Sequence, residues 1–196
     1  MADLEKLRQN LIARGYACHV FDTPQEAVCH LQNSLQGRTI GFGGSMTVRE
    51  MGLFEALSRD NTCYWHWEKA DADQAARAQV YISSLNGVAE TGELVNIDGA
   101  GNRVASGLYG HEKVYFVIGS NKIAPDLEGA IWRARNIAAP KNAQRLSKKT
   151  PCAARADRCY DCQSPDRICS AMVLYWKKPT AISHMEIVVI RQELGF

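Results

Sequence analysis

Strand-like and helix-like segments alternate along the first 140 residues, and this alternation constrains the fold more than any other feature of the chain. Apolar side chains recur every three or four positions in the helix-like segments, and short apolar runs separate them. Strand signals fall at residues 16–21, 38–42, 62–67, 80–84 and 113–119, and helix signals at residues 4–14, 24–35, 47–57, 71–79 and 125–139. Such a pattern predicts an α/β fold, a mostly parallel sheet wrapped by helices.

Capping residues mark several of the predicted helix ends. Thr23 and Glu26 form a capping box, and Thr47 with Glu50 repeats that pattern after a glycine-rich turn. Pro140 is predicted to end the helix that begins near residue 125, because a proline inside a helix removes a backbone N–H.

Two further pairs of strand-like runs are predicted to form hairpins. The first pair, residues 93–97 and 103–105, flanks the turn-forming residues 98–102. The second pair, residues 171–176 and 185–190, is expected to return to the sheet as a C-terminal hairpin.

Length and charge exclude several classes of protein. A chain of 196 residues can bury its own core, so a single domain over residues 1–196 is expected. The formal net charge is only +2, which favours neither a nucleic acid nor a membrane surface as partner. The acidic start does not resemble a signal peptide, and no apolar run could span a bilayer. We therefore expect a cytoplasmic protein.

Four of the seven cysteines lie close together near the C-terminus. In a reducing compartment a disulfide framework is not expected. These four fall in an irregular stretch, residues 141–169, which we call the cysteine segment: Cys152, Cys159, Cys162 and Cys169. Their thiolates could converge on one metal centre. Zinc sites usually draw on two close cysteine pairs, and only one Cys-x-x-Cys is present, so a [4Fe-4S] cluster is favoured with zinc as the alternative.

The charge of the cysteine segment agrees with a metal cluster. Seven basic and three acidic residues lie between positions 141 and 169. That excess of positive charge would offset the negative charge of a four-thiolate cluster. The remaining alternative is that these cysteines are free or redox-labile thiols on a basic loop.

A glycine-rich turn follows the second predicted strand. It contains Gly43, Gly44, Ser45 and Thr47, and a helix is predicted to begin directly after it. Glycines allow close approach of a ligand, and a helix start offers unpaired N–H groups to an anion. The turn lacks the dinucleotide glycine spacing and the phosphate-loop lysine. A tight turn with Thr47 as a simple cap is the alternative.

Further polar residues lie after predicted strands, where ligands of parallel sheets bind. Glu90 and Lys122, which follow predicted strands, and Asp98, in the predicted hairpin, are candidate catalytic residues. Asn102 and Arg103 of the same hairpin are candidate ligand-binding residues, in addition to those of the glycine-rich turn. A carboxylate could act as base or nucleophile, and an ammonium could stabilise developing negative charge. Each could also be an ordinary solvated side chain. The five histidines show no paired metal-binding spacing, so structural roles are expected for them.

Several motifs together resemble one known family. They are residues 41–47, Glu90-Thr91-Gly92, residues 95–104, residues 118–123, residues 150–169 and the terminal Glu193-Leu194-Gly195-Phe196. Over almost the whole chain they resemble the LUD-domain family, which is associated with lactate utilisation. The resemblance implies a Rossmann-like sheet with helices on both faces, of the type found in glucosamine-6-phosphate isomerase, ribose-5-phosphate isomerase and the CoA transferases.

The resemblance also implies partners and a metabolic setting. Family members called lactate-utilisation protein C act with iron–sulfur and flavin-linked partners in oxidising L-lactate to pyruvate. Those members lack the four-cysteine motif, so this chain resembles a distinct branch. In fold relatives, Glu90 compares with the carboxylate of CoA transferases and Lys122 with the lysine of pentose isomerases.

Three functional hypotheses follow, and they leave open whether the chain is an enzyme. The first is an iron–sulfur LUD-domain protein, linked to lactate or related organic-acid metabolism, that binds an anionic metabolite or cofactor at the glycine-rich turn. The second is a non-redox isomerase or acyl/CoA transferase that uses Glu90 and Lys122, with a structural metal. The third is a non-enzymatic subunit of a lactate-oxidising assembly, and a homo-oligomer is compatible with each.

Overall fold

Two sheets organise the chain in a computed structural model that describes residues 2–70 and 72–196. The strands are β1 Ala17–Phe21, β2 Thr39–Phe42, β3 Thr62–Trp65, β4 Val80–Ser83, β5 Gly87–Ala89, β6 Leu94–Asp98, β7 Lys113–Gly119, β8 Ile123–Ala124, β9 Ala171–Tyr175 and β10 His184–Ile190. Six of them form a parallel sheet in the order β1-β10-β7-β4-β2-β3. The other four form a smaller sheet in the order β8-β5-β6-β9.

Helices cover both faces of the larger sheet, as predicted. They are α1 Leu4–Ala13, α2 Pro24–Ser34, α3 Met46–Glu50, α4 Leu53–Leu57, α5 Ala72–Ala76, α6 Asn102–Leu108, α7 Leu127–Arg133, α8 Ala139–Arg145 and α9 Pro151–Arg155. Successive residues of β7 enter different cores: Phe116 belongs to the core that contains Leu7 on one face, and Val117 to the core that contains Leu31 on the other. A strand buried on both faces belongs in the middle of a parallel sheet, where β7 lies.

Two helix starts illustrate how local sequence was predictive. The Thr23 hydroxyl accepts a hydrogen bond from the Glu26 N–H, and the Glu26 carboxylate accepts one from the Thr23 N–H, so the capping box is present. At the glycine-rich turn the cap is Ser45, which accepts from the Val48 N–H at 3.2 Å. The predicted Thr47 cap is wrong by two residues, because the helix begins at Met46 and the Thr47 side chain is buried.

The predicted hairpin of residues 93–105 is wrong in its second half. Residues 94–98 form β6, but helix α6 begins at Asn102. The Asp98 carboxylate accepts hydrogen bonds from the backbone N–H groups of Arg103 and Val104, and Gly101 takes a left-handed conformation with φ of 90°. This carboxylate therefore pairs with the free backbone N–H groups at the start of α6. The turn-like composition of residues 98–102 did not predict that helix start.

The predicted C-terminal hairpin is also wrong. Strand β9 pairs with β6 in the smaller sheet, whereas β10 lies between β1 and β7 in the larger one. Burial explains the separation: β10 is buried at every residue after His184, while β9 is exposed at Ala171 and Met172. A strand that is buried on both faces, such as β10, lies inside a sheet with another strand on each side. A strand with exposed residues, such as β9, lies at the edge of a sheet.

Two predicted ends differ from the observed ones. The third strand stops at Trp65, where a short 3-10 helix, His66–Glu68, begins, and the predicted helix start at Asp71 lies outside the described residues. Pro140 does not end its helix. A π-helical segment, Ala134–Ala138, joins α7 to α8, so that Pro140 falls in the first turn of α8, where its missing N–H is tolerated. No helix in the described ranges could cross a bilayer.

Candidate functional site

A pocket of about 290 Å³ opens at the carboxyl ends of the parallel strands. Gly44 and Ser45 follow β2, Ser84 follows β4, and Lys122 follows β7. The end of β6 and the start of α6 form the opposite wall of the pocket. The structure therefore brings six of the residues predicted from the sequence to one pocket: Gly44, Ser45, Asp98, Asn102, Arg103 and Lys122. This is the edge at which ligands bind in open α/β sheets.

Lys122 is the most unusual group in this pocket. Its side chain is buried, and its Nζ donates hydrogen bonds to Thr47 Oγ1 and Ser84 Oγ, both at 2.9 Å. Burial, together with the positive charges of Arg133 and Arg103, lowers the pKa of Lys122 to about 7. The amine can therefore be neutral or charged near physiological pH, and a bound anion would favour its charged form.

Two residues of the glycine-rich turn support the pocket from behind its wall. Thr47 is fully buried and holds the Lys122 amine. A Cβ on Gly43 would lie 2.3 Å from the Tyr81 hydroxyl and 2.6 Å from Ser83 Oγ, so only glycine fits between β2 and β4. For Gly43, close packing accounts for the glycine without any ligand.

Asp98 has a structural task at this site. Its carboxylate accepts the N–H groups of Gly99 and Arg103 at 2.9 and 2.8 Å, and it lies 3.6 Å from the Arg103 guanidinium. These contacts fix the start of α6 and direct Asn102 and Arg103 toward the pocket.

Positive charge predominates around the pocket. Arg103, Arg145 and Lys122 line it, against the single carboxylate of Asp98 among the described lining side chains. The Arg145 guanidinium lies 5.1 Å from the ring centre of Trp67, which also lines the pocket. The arrangement can bind a small anion by charge and by hydrogen bonding.

Glu90 does not join this group. It lines a different cavity, where its carboxylate accepts from Lys6 Nζ at 2.8 Å and from the Asp3 N–H at 2.9 Å. These hydrogen bonds lower the pKa of Glu90. Glu90 follows β5, which belongs to the smaller sheet, and the sequence pattern had not distinguished the two sheets.

The four C-terminal cysteines line one common small cavity. Cys152 lies in α9, and the other three follow in a stretch without helix or strand. Asp161, between Cys159 and Cys162, has a φ of 45°, and its N–H donates to Cys159 Sγ at 3.3 Å. All four cysteines are unpaired and described, and no three of their sulfur atoms lie within 4.8 Å of one another.

Cationic side chains surround the cysteine cavity. Arg135 and Arg167 both contribute to its lining. Arg167 donates to the carbonyls of Cys162 and Cys169 at 2.8 and 3.0 Å, and therefore holds the backbone that carries two of the thiols.

The cysteine cavity and the basic pocket share a wall. Ile168 lines both of them, and a Cβ on Gly99 would lie 2.8 Å from the Ile168 carbonyl oxygen. The Ser170 N–H donates to the Asp98 carbonyl at 2.9 Å, which ties the end of the cysteine segment to the turn that builds the pocket. A group held by the cysteines would thus border a ligand in the pocket.

Several residues that line the pocket were not predicted from the sequence. Ser84 lies at the end of the predicted strand 80–84 and could have been found by the same argument as Lys122. Trp67 falls at the end of the predicted strand 62–67, and Arg145 carries no local signal, because the continuation of the helix past Pro140 brings it to the pocket.

The fold and the position of the pocket define an α/β protein of Rossmann-like type. The family model for the LUD domain matches residues 4–190, so the chain belongs to the LUD-domain family. The structure is similar to the crystal structure of a DUF162-family protein from Deinococcus radiodurans, with a TM-score of 0.56, 12% identity and 95% of each chain covered. At that identity the likeness concerns the fold. A search of the curated proteins gave no match.

Proposed function

We propose that this LUD-domain protein is an iron–sulfur protein that binds a small organic acid beside its cluster. Cys152, Cys159, Cys162 and Cys169 would hold one [4Fe-4S] cluster. The single observation that carries the proposal is that the four thiols line one cavity whose wall is also a wall of the basic pocket.

The spacing of the cysteines along the chain supports a cluster over a single zinc ion, because structural zinc sites usually draw on two close cysteine pairs and only one Cys-x-x-Cys is present. A cluster of four irons and four sulfides is larger than one ion, and Arg135 and Arg167 would offset its negative charge.

When bound, such a cluster supplies one-electron transfer. With all four irons ligated by protein there is no vacant iron position, so the chain's own residues must bind the metabolite. Lys122, Arg103 and Arg145 would hold its carboxylate, and the start of α6 would orient it. Family membership favours lactate, pyruvate or a related acid, and electron transfer would need an iron–sulfur or flavin partner protein.

Anaerobic purification with iron and sulfide analysis tests the cluster. We expect about four irons and four sulfides per chain, lost in Cys159→Ser and Cys162→Ser. The matched control is Cys29→Ser, because Cys29 is exposed and lies outside the cysteine segment. One zinc per chain with no iron would contradict the proposal.

Calorimetric titration tests the pocket. Lactate, pyruvate and inorganic phosphate serve as ligands, and Arg145→Met should weaken binding about tenfold through loss of a charge-assisted hydrogen bond. Arg77→Met, which removes an exposed arginine outside the pocket lining, is the control. If Arg145→Met and Arg77→Met bound these ligands with equal affinity, Arg145 would not be part of the binding site.

One observation favours a second function, a non-redox enzyme in which Lys122 acts as a base or nucleophile. A buried lysine with a pKa of about 7 is suited to such chemistry. Glu90 would take no part near Lys122, because it lines another cavity. Turnover of a phosphosugar or CoA ester that survives Cys162→Ser and disappears in Lys122→Met would favour this function over the first.

A further inference from the structure

A second cluster of potential metal ligands surrounds Glu186, away from the pocket and from the cysteine segment. His19 Nδ1 lies 2.9 Å and His30 Nε2 lies 2.7 Å from Glu186 Oε1, and His184 Nε2 lies 3.1 Å from Oε2. These side chains come from β1, α2 and β10. Glu186 is 167 positions from His19 in the chain, so the linear spacing of the histidines could not reveal the group.

The carboxylate at the centre of this cluster is buried and lies within hydrogen-bonding distance of three imidazole rings. The side chain of Glu186 is only 4% exposed. Its hydrogen-bonding partners among the described residues are imidazoles, so it can accept a cation without first giving up an arginine or a lysine.

Three of the four side chains already converge as ligands of one ion would. His19 Nδ1, His30 Nε2 and one Glu186 oxygen all lie within 4.8 Å of one another. Imidazole nitrogen and carboxylate oxygen bind zinc at about 2.0–2.2 Å, so an ion between them needs only a small outward movement of the ligands. The rings of His19 and His30 lie 4.6 Å apart, which brings both nitrogens to the same side of the carboxylate.

Solvent reaches this cluster from one side. The side chain of His19 is 53% exposed and that of His30 is 23% exposed, whereas Glu186 lies beneath them. An ion can therefore enter past His19 and keep water on its open side. His184 binds the other oxygen of Glu186 and so orients the carboxylate, as hydrogen-bonded neighbours of metal ligands commonly do.

We propose that His19, His30 and Glu186 form a binding site for a divalent first-row transition metal such as Zn²⁺, with His184 as a positioning residue. Two imidazoles and one carboxylate are a donor set that such metals prefer, and it differs in kind from the thiol set of the cysteine segment. Binding needs the lone pairs of His19 Nδ1 and His30 Nε2. The proton on each of these nitrogens therefore moves to the other ring nitrogen or to solvent.

Equilibrium dialysis against Zn²⁺ with metal analysis tests the site on the full chain. We expect the wild type to bind one equivalent more than His30→Gln and Glu186→Gln, and His66→Gln to equal the wild type. Zinc taken up by the cysteines is common to all four proteins, so it cancels in the comparison. The difference between the X-ray absorption spectra of the zinc-loaded wild type and of zinc-loaded His30→Gln should show nitrogen and oxygen neighbours for the extra equivalent. Equal uptake by the wild type and His30→Gln, or sulfur neighbours on the extra equivalent, would overturn the proposal.

Two further variants separate ligation from folding. His19→Gln changes a half-exposed side chain and should preserve the circular dichroism of the wild type, yet Zn²⁺ should raise its Tm less than that of the wild type, because only zinc bound by the cysteines still stabilises it. His184→Gln should keep the extra equivalent but bind it about 10- to 100-fold more weakly, since it removes an outer partner only. A Zn²⁺-dependent rise in Tm that is as large in His19→Gln as in the wild type would show that His19 is not a ligand.

Discussion

The six-stranded sheet and the cysteine segment lie side by side but are held together by different forces. The sheet is flanked by fully buried apolar side chains on both faces, such as Phe116 and Leu31. The cysteine segment buries only Ala143, Thr150 and Ala153, and it relies on polar ties such as the bond from the Lys149 N–H to Asp166. The sheet is therefore stabilised by apolar burial, whereas the cysteine segment keeps its shape through hydrogen bonds.

The largest expected effect comes from the core of the sheet. Phe116→Ala should lower the free energy of unfolding by about 3–5 kcal/mol, because Phe116 is fully buried and a cavity remains. Urea denaturation measures the loss. Met172→Ala on the exposed part of β9 should cost less than about 0.5 kcal/mol. Similar losses of unfolding free energy in Phe116→Ala and Met172→Ala would contradict the expectation that the buried strand contributes more to stability than the exposed one.

The buried amine of Lys122 gives a pH-dependent effect within the sheet region. Its pKa is about 7 in the folded chain and 10.5 in the unfolded one, so between these values the unfolded state binds the extra proton. Stability should therefore rise with pH across this window, by about 2 kcal/mol from pH 7 to pH 9. Lys122→Met should lack this rise when both proteins are unfolded in urea at the two pH values. Parallel pH profiles would contradict the lowered pKa.

A smaller and local effect is expected in the cysteine segment. Arg167→Lys should lose the paired bonds to the carbonyls of Cys162 and Cys169 and loosen the segment by about 1–2 kcal/mol. Limited proteolysis should then cut near Arg155 and Arg158 about tenfold faster, while the urea transition of the sheet stays unchanged. A shift of the whole urea transition would show that segment and sheet unfold together.

The smallest effect concerns backbone conformation at the end of α9. Ala156 has a φ of 54°, a left-handed conformation that favours glycine, so Ala156→Gly should stabilise the segment by up to about 1 kcal/mol. Ala154→Gly is the matched control, because Ala154 is helical and the same change there should destabilise by about 1 kcal/mol. Hydrogen exchange of the α9 amides measures both, and changes of equal sign would contradict the conformational argument.

Much of the larger sheet could be predicted from the sequence because its signals are local. Apolar periodicity located β7 and α2, and Thr23 with Glu26 marked the start of a helix correctly. The errors arose where a distant partner decides the outcome. Asp98 caps α6 from the preceding strand, and β9 leaves β10 to pair with β6.

The candidate site shows the same division. The rule that ligands lie at the carboxyl ends of parallel strands brought Ser45 and Lys122 together correctly, but it failed for Glu90, whose strand belongs to the other sheet. Arg145 reaches the pocket through a helix that the sequence predicted to stop at Pro140.

Residue types and their spacing along the chain were enough to establish the alternating α/β architecture, the family and the grouping of four cysteines. The tertiary structure was needed to show that Lys122 is buried against Thr47 and Ser84, that the cysteine cavity borders the basic pocket, and that three histidines meet at Glu186. Those relations join residues far apart in the chain. Burial, charge and hydrogen bonding act on distances in space, and only the packing of the two sheets sets those distances.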